Sequence, residues 1–310
     1  MTVIDLKTLK ETKLPEGVRL SCALGNFDGV HTGHRELLLK AAKKEYGATA
    51  SAVWTFRLHP QLYLGTQAVK IITSMEQKLE YFRETGIEYA ILEDFPRVSS
   101  LEPEEFAKNL LINELGVVHA VCGFNFSFGK KAGGNCAMLK EYFEECRCNV
   151  SIIPPMKIDG DIVSSSLIRA KIEGGKVADA KKLLGHPFSI FLPVTEGRKL
   201  GRKIGIPTIN QVFPENYVIP RFGVYACECH VAGKVFRGIA NVGIRPTIKE
   251  ETKIVNCETH ILDYSGYLYG KKIRVDFCKF IRDERRFGSI DELVAEINQN
   301  IKEIREYFGE

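Results

Sequence analysis

The chain has 310 residues, 45% hydrophobic and 26% charged, with a formal net charge of +4. That length suggests two domains, and the composition is that of an ordinary globular protein. No run of about 18 apolar residues offers a membrane span and the N-terminus lacks an apolar signal core, so the cytoplasm is the expected location; a mild positive charge spread along the chain does not argue for nucleic acid, and a homo-oligomer is compatible with it.

The first predicted strand covers residues 20–24 and runs into Gly25–His34, GNFDGVHTGH. A helix is predicted over about residues 35–46, with Gly47 at the C-cap position. The first-turn N–H groups of such a helix lack internal partners, which makes an anion site. His31 and His34, three apart, can meet the same phosphates. A turn that merely holds the corner is the plainer alternative.

Residues 49–56 read as a buried strand, followed by a turn at RLHPQ closed by Pro60. A helix is predicted over 74–85 with Met75, Leu79 and Phe82 inward, then a strand over 89–92. A helix over 103–115 with Phe106, Leu110 and Leu111 inward precedes a strand over 117–122. Alternating strands and helices predict a doubly wound parallel sheet, whose ligands sit beyond the carboxyl ends of the strands. The loop 123–134, GFNFSFGKKAGG, lies at such an end. It fits either a phosphate-holding loop or a plain surface loop, and some of Phe124, Phe126 and Phe128 should pack inward. After a strand over 150–154 and a turn at Asp159–Gly160 comes SSSLIR, residues 164–169, which suits either phosphate or a simple N-cap.

A helical stretch over 172–184 ends at Gly185, where the domain boundary is expected. Short strands follow over 189–195, 223–231, 234–240, 255–262 and 273–280, with a tight turn at Ala232–Gly233. They predict a small antiparallel barrel. Ser289 and Glu292 fit a capping box. Leu293, Ile297, Ile301, Ile304 and Phe308 form a stripe that should pack on the barrel. The nine cysteines lack zinc-ligand spacing, and Cys227 and Cys229 fall on the apolar face of one strand, as core residues.

In residues 197–210, GRKLGRKIGIPTIN, glycines alternate with basic residues. The segment fits a phosphate cradle or a basic turn. Thr208 and Asn210, two apart in an extended stretch, could present their oxygens to Mg²⁺ beside phosphates. Glu258 shares a strand face with Asn256 and His260. It is either a solvated acid or a carboxylate able to take a proton from an attacking hydroxyl.

The H-x-G-H spacing at His31 and His34 resembles the nucleotidylyltransferase superfamily. The longer string resembles the bacterial bifunctional riboflavin kinase/FAD synthetase family. GFNFSFG resembles that family's G-x-[DN]-F-x-F-G segment, SSSLIR its S-S-T-x-I-R, and GRKIGIPTIN its G-R-x-L-G-x-P-T-A-N. NVGIRPT (241–247), LYGKK (268–272) and RDERRF (282–287) match in the same order, so the resemblance spans essentially the whole chain. It implies an FMN adenylyltransferase domain over 1–185 and a riboflavin kinase domain over 186–310, with riboflavin, FMN, ATP and Mg²⁺ as ligands and FAD as product. Carried over by position, Gly25, Phe27, Asp28, His31, His34, Asn125, Ser164, Ser165, Ser166 and Arg169 would bind ATP in the first domain. Gly201, Arg202, Gly205, Pro207, Thr208, Asn210 and Arg282 would bind ATP or flavin in the second. Thr208 and Asn210 would hold the magnesium–nucleotide, and Glu258 would be the base for the ribityl hydroxyl.

Adenylyl transfer fits this residue choice, because an ionised phosphate nucleophile needs orientation and charge stabilisation and no general base. Two departures stand out. Ile209 replaces an alanine, and Arg57–Leu58 replace an acid and a proline in T-F-[DE]-P-H-P. Arg57 could attract substrate phosphate, weaken adenylylation or face water. Two rivals stand beside the bifunctional reading: a kinase whose first domain has lost adenylylation, and a non-catalytic flavin- or RNA-binding regulator.

Overall fold

The computed structural model describes residues 1–6, 14–65, 69–197, 201, 204–245 and 254–310. They form two compact units, Met1–Ser165 and Ser166–Glu310.

In the first unit, β1 (Thr2–Asp5), β2 (Leu20–Leu24), β3 (Ala50–Phe56), β4 (Tyr89–Glu93), β5 (Val117–Gly123) and β8 (Asn149–Ile153) make a parallel sheet of order β1-β4-β3-β2-β5-β8. Successive strand residues face opposite sides, and both sides are covered. Ala23, Val53, Ala90 and Val121 pack with α1 (Thr32–Ala42) and α3 (Met75–Glu84). Cys22, Trp54, Ile91 and Ala120 pack with α5 (Glu105–Glu114) and α6 (Cys136–Glu145). This is the doubly wound sheet the sequence predicts.

Several boundaries differ from expectation. α1 starts at Thr32 because His31 is its N-cap, and it ends at Ala42, well before Gly47. The stretch around Pro60 is a short helix, α2 (Pro60–Leu64), capped by His59; α4 (Phe95–Val98) is another. The buried face of α3 is Gln77, Lys78, Tyr81 and Phe82, so Met75 and Leu79 lie at its margin. α5 is wound as a π-helix, with Leu115 N–H donating to Leu110 C=O at 3.0 Å. The glycine-rich loop folds on itself, pairing β6 (Ser127–Phe128) with β7 (Gly134–Asn135), and Asn135 caps α6, which periodicity did not reveal. Phe128 is buried and stacks on Phe126, while Phe124 is exposed. The turn at Asp159–Gly160 joins β9 (Lys157–Ile158) to β10 (Asp161–Ile162), both turn residues having positive φ.

The expected helix over 172–184 is the end of α7 (Ser165–Glu173) plus α8 (Val177–Leu184), separated at Gly174–Gly175 and closed by left-handed Gly185. The second unit's sheet is antiparallel, ordered β11 (Phe188–Pro193), β16 (Lys272–Arg282), β13 (Gly223–Val231), β14 (Lys234–Arg245), β15 (Ile254–Ile261), β12 (Ile209–Val212). Thr195 pairs with Asn210, and buried Gln211 donates to Leu192 C=O and Ile273 C=O, so the sheet nearly closes into a barrel. Cys227, Cys229 and Cys257 are fully buried, as small core residues. Burial pushes the Cys257 thiol up to about 12. The hairpin at Ala232–Gly233 has positive φ at both residues. On α9 (Ile290–Phe308), Ile301, Ile304 and Phe308 pack on the barrel as expected. Ser289 Oγ caps Glu292 N–H, but the Glu292 carboxylate returns to Gly288 N–H, so only half of the expected capping box forms.

Candidate active sites

The strand order of the parallel sheet reverses between β2 and β5. From β2 the chain goes to β3 on one side, and β5 lies on the other. Such a switch point opens a crevice beyond the carboxyl ends of the strands. Gly25–His34 leaves β2 there, and the loop 124–134 leaves its neighbour β5.

The first turn is built from backbone. Phe27, Gly29 and Val30 have φ of 51°, 84° and 38°, and the β-branched Val30 is a strained position. Asp28 is 2% exposed, and its Oδ1 accepts from the N–H groups of Ile72 and Thr73 at 2.9 and 3.3 Å. Thr73 Oγ1 accepts from Gly29 N–H, and Thr55 and Lys78 donate to Asn26 C=O. Phe27 is buried against Phe82 and His34. The side chains of Phe27 and Asp28 therefore hold the turn's shape and face inward. The Asp28 anchors at Ile72 and Thr73 carry no sequence signal, since the contact spans 44 residues.

His31 Nδ1 accepts from His34 N–H at 3.2 Å. The proton of that ring therefore sits on Nε2, which is a donor. The two rings stack with centroids 3.5 Å apart. A Cβ at Gly33 would meet the His31 ring at 3.3 Å, so glycine keeps that ring's place. His34 Nδ1 is buried without a hydrogen-bond partner among the described residues. Burial, with His31 and Lys78 nearby, holds His34 well below the usual histidine range. His34 is therefore held as a neutral ring at the N-terminus of α1.

Ser165 Oγ donates to Asp28 C=O at 2.9 Å and so ties the third motif to the first turn; Ser164 is half-buried. Asn125 is exposed in the turn that follows β5. Ser166 and Arg169 lie on α7 in the second unit. Arg57 forms an ion pair with Asp5 at the end of β1, two strands from β3. Its guanidinium thus turns toward the sheet edge, away from β2, and Leu58 is exposed.

In the barrel, pairing of β12 with β15 sets Ile209 opposite Thr259 and Asn210 opposite Glu258. Opposed residues share a face, so Asn210 and Glu258 lie together, and Ile209 points to the other face. His260 Nδ1 lies 2.7 Å from Pro207 C=O, which fixes the approach to the strand. Gly201 is needed for the turn before it: Ile206 N–H donates to Gly201 C=O at 2.8 Å, and a Cβ there would meet Ile206 O at 2.2 Å. Gly205 has φ of 78°. Arg202 lies outside the described residues.

A cavity of about 250 Å³ is lined by Thr208, Glu258, Asn241, Arg282 and Phe287, with Leu293 and Ile297 of α9 on its far wall. The upper part of the apolar stripe therefore lines a cavity instead of packing on the barrel. Half-burial of a stripe's end is invisible to periodicity. Arg282 is held by Glu296 and Asn300 of α9. Asn256 Nδ2 donates to Glu258 Oε1 at 3.1 Å and approaches Asn210 Oδ1 at 3.4 Å. Thr208 and Asn210 offer neutral oxygens, a donor set that fits Mg²⁺ shared with phosphates. Among the described residues, no cluster of three or more His, Cys, Asp or Glu is arranged to hold a metal, and no helix is long and apolar enough to cross a membrane.

Comparison with known proteins gives two family matches. A riboflavin kinase family model matches residues 184–308, and an FAD synthetase family model matches residues 15–167. Proteins described as bifunctional riboflavin kinase/FMN adenylyltransferase are similar over nearly the whole length. The one from Listeria monocytogenes is 35% identical over 292 residues, 93% of this chain and 92% of that protein. The one from Escherichia coli is 36% identical over 291 residues, 92% of each. A crystal structure from Streptococcus pneumoniae, described as a macrolide-efflux protein, superposes with a TM-score of 0.87 at 30% identity, covering 98% of this chain and 99% of that one.

Proposed function

This chain belongs to the bifunctional riboflavin kinase/FMN adenylyltransferase family, and we propose how its residues divide the two reactions it performs. The C-terminal region phosphorylates riboflavin to FMN, and the N-terminal region adenylylates FMN to FAD. We place the functional boundary near Gly185, with the adenylyltransferase over residues 1–185 and the kinase over 186–310. We also assign the enzyme to the cytoplasm.

For the kinase, the carrying observation is the register of Asn210 against Glu258. Glu258 is the base: it takes the proton of the ribityl hydroxyl as that oxygen attacks the γ-phosphorus of ATP and ADP leaves. Thr208 and Asn210 would hold Mg²⁺, which neutralises phosphate charge when bound. Arg282, fixed by α9, lines the cavity for nucleotide and flavin together with Gly201, Ile204 and Ile206.

For the adenylyltransferase, an FMN phosphate oxygen attacks the α-phosphorus of ATP, and pyrophosphate leaves. His31 and His34 donate side-chain N–H groups to the charge that develops, and the dipole of α1 adds to them. Gly25 and the strained turn shape the crevice. Asn125, Ser164, Ser165, Ser166 and Arg169 are proposed nucleotide contacts. The neutral state of His34 fits donation without a charged imidazolium.

Incubation with riboflavin, ATP and Mg²⁺, followed by chromatography of the flavins, tests this division. Glu258→Gln should give no FMN from riboflavin while FMN still becomes FAD. His34→Ala should stop at FMN. If both variants lose the same activity, the division is wrong.

A further inference from the structure

We propose that Asn256 is a positioning residue of the kinase reaction, its side-chain amide holding the base Glu258 and the nucleotide ligand Asn210 in one fixed arrangement. This rests on the roles given above to Glu258 and Asn210.

Asn256 is 5% exposed and Asn210 is 7% exposed, so the contact is made away from water. Asn256 and Glu258 are two apart on β15 and share a face, and Asn210 is paired with Glu258 on β12. One amide nitrogen carries two hydrogens. One is directed to Glu258 Oε1 at 3.1 Å and the other to Asn210 Oδ1 at 3.4 Å. Asn256 is paired with Gly243 on β14 and with Val212 on β12, neither of which brings a polar side chain of its own to compete, and the Glu284 carboxylate lies over Gly243.

The chemistry explains the value of such a bridge. Glu258 is exposed and carries three rotatable bonds, so its carboxylate is otherwise free to swing. Donation to Oε1 fixes the group and leaves Oε2 for the hydroxyl proton. Donation to Asn210 Oδ1 takes one lone pair and leaves the other for the magnesium–nucleotide. The base and the phosphoryl donor are thereby tied to one amide. Misplacement of such groups by about 1 Å can cost ~10²-fold in rate.

Three variants of the full chain test this: Asn256→Ala, Asn256→Ser and Asn256→Asp, with Glu258→Gln as reference. Kinase kcat, KM for riboflavin and the pH profile of kcat are measured, and riboflavin binding checks that the barrel is folded. Asn256→Ala should lower kcat ~10-fold or more with KM within about twofold. Asn256→Ser keeps one donor and should recover part of that loss. Asn256→Asp sets a second carboxylate beside Glu258, so the acidic limb of the profile should move to higher pH. His260, Arg282, Glu284 and Arg285 also face this cavity and are unchanged in every variant. If Glu258→Gln is inactive while Asn256→Ala and Asn256→Ser keep the parental rate and Asn256→Asp the parental profile, the bridge has no role and the proposal fails. If Glu258→Gln itself keeps the rate, the base assignment fails and the proposal with it. Should Asn256→Ala not fold, the serine and aspartate variants decide.

Discussion

His31 and His34 stack face to face, their ring planes within 13° and their centroids 3.5 Å apart. The N–H of one residue and the ring of the other close the first turn of α1. Two charged imidazoliums would repel strongly at that distance. With His34 held neutral and the two rings donating as proposed, removal of one donor has a defined cost. His34→Ala should lower FAD formation from supplied FMN by roughly 10²–10³-fold and leave riboflavin phosphorylation within twofold. Both rates come from one chromatographic assay. An unchanged FAD rate means the histidines only hold the corner.

Asn210 is backed by a glycine. A Cβ at Gly197 would meet Asn210 Nδ2 at 2.4 Å, closer than such atoms approach. Gly197→Ala must therefore push the Asn210 amide from its place. The kinase rate should fall by about 10²-fold, the effect of a displaced reacting group. FMN-to-FAD conversion should not change. A parental kinase rate in this variant removes Asn210 from the reaction.

Arg57 is paired with Asp5 at the sheet edge, with side-chain exposures of 30% and 25%. Half-exposed ion pairs of this kind contribute about 0–1 kcal/mol. Arg57→Asp sets two carboxylates against each other and should lower the Tm by a few degrees through β1. KM for FMN and for ATP should stay within twofold. A larger change in either constant would return Arg57 to the substrate site.

His119 bridges three strands, with Ser21 Oγ and Ser151 Oγ each 2.9 Å from one of its ring nitrogens. That satisfies a neutral ring. Burial pushes its pKa down to about 4 from an ordinary 6.5. Above 6.5 the ring is neutral in both folded and unfolded chains. Between 6.5 and about 4 the unfolded chain binds a proton that the folded chain refuses, so stability falls as pH falls. His34 acts in the same direction. Thermal melts from pH 7 to 4.5 should show the loss, and His119→Gln should have a shallower slope. An equal slope in the variant would mean that His119 does not carry it.

Much of the fold is legible because local signals agree with it. The apolar run LSCAL before a glycine turn gives β2, and alternation in GVYACECHV gives β13, both with the bounds observed. α1 starts earlier than read because Thr32 and Gly33 are poor helix formers and the cap is a histidine, outside the usual capping set. β12 is four residues long and exists by pairing with β15, some 48 residues away, which no local pattern encodes. The same non-local pairing separates site from motif. Thr208, Asn210 and Glu258 are readable as chemistry, whereas their neighbour Asn256 reads as a strand residue until the register sets its amide beside them. The link from Asp28 to Ile72 and Thr73, and the turn of Arg57 toward Asp5, are likewise products of sheet order.

In the proposed division Glu258 serves the kinase alone, and the two reactions use separate residues. The most direct measurement is FMN production from riboflavin, and FAD production from FMN, by Glu258→Gln beside the parent enzyme. Loss of a general base predicts a fall of ~10²–10⁴-fold in the first rate, with the second unchanged. A kinase rate within tenfold of the parent, or an equal fall in both rates, would contradict it.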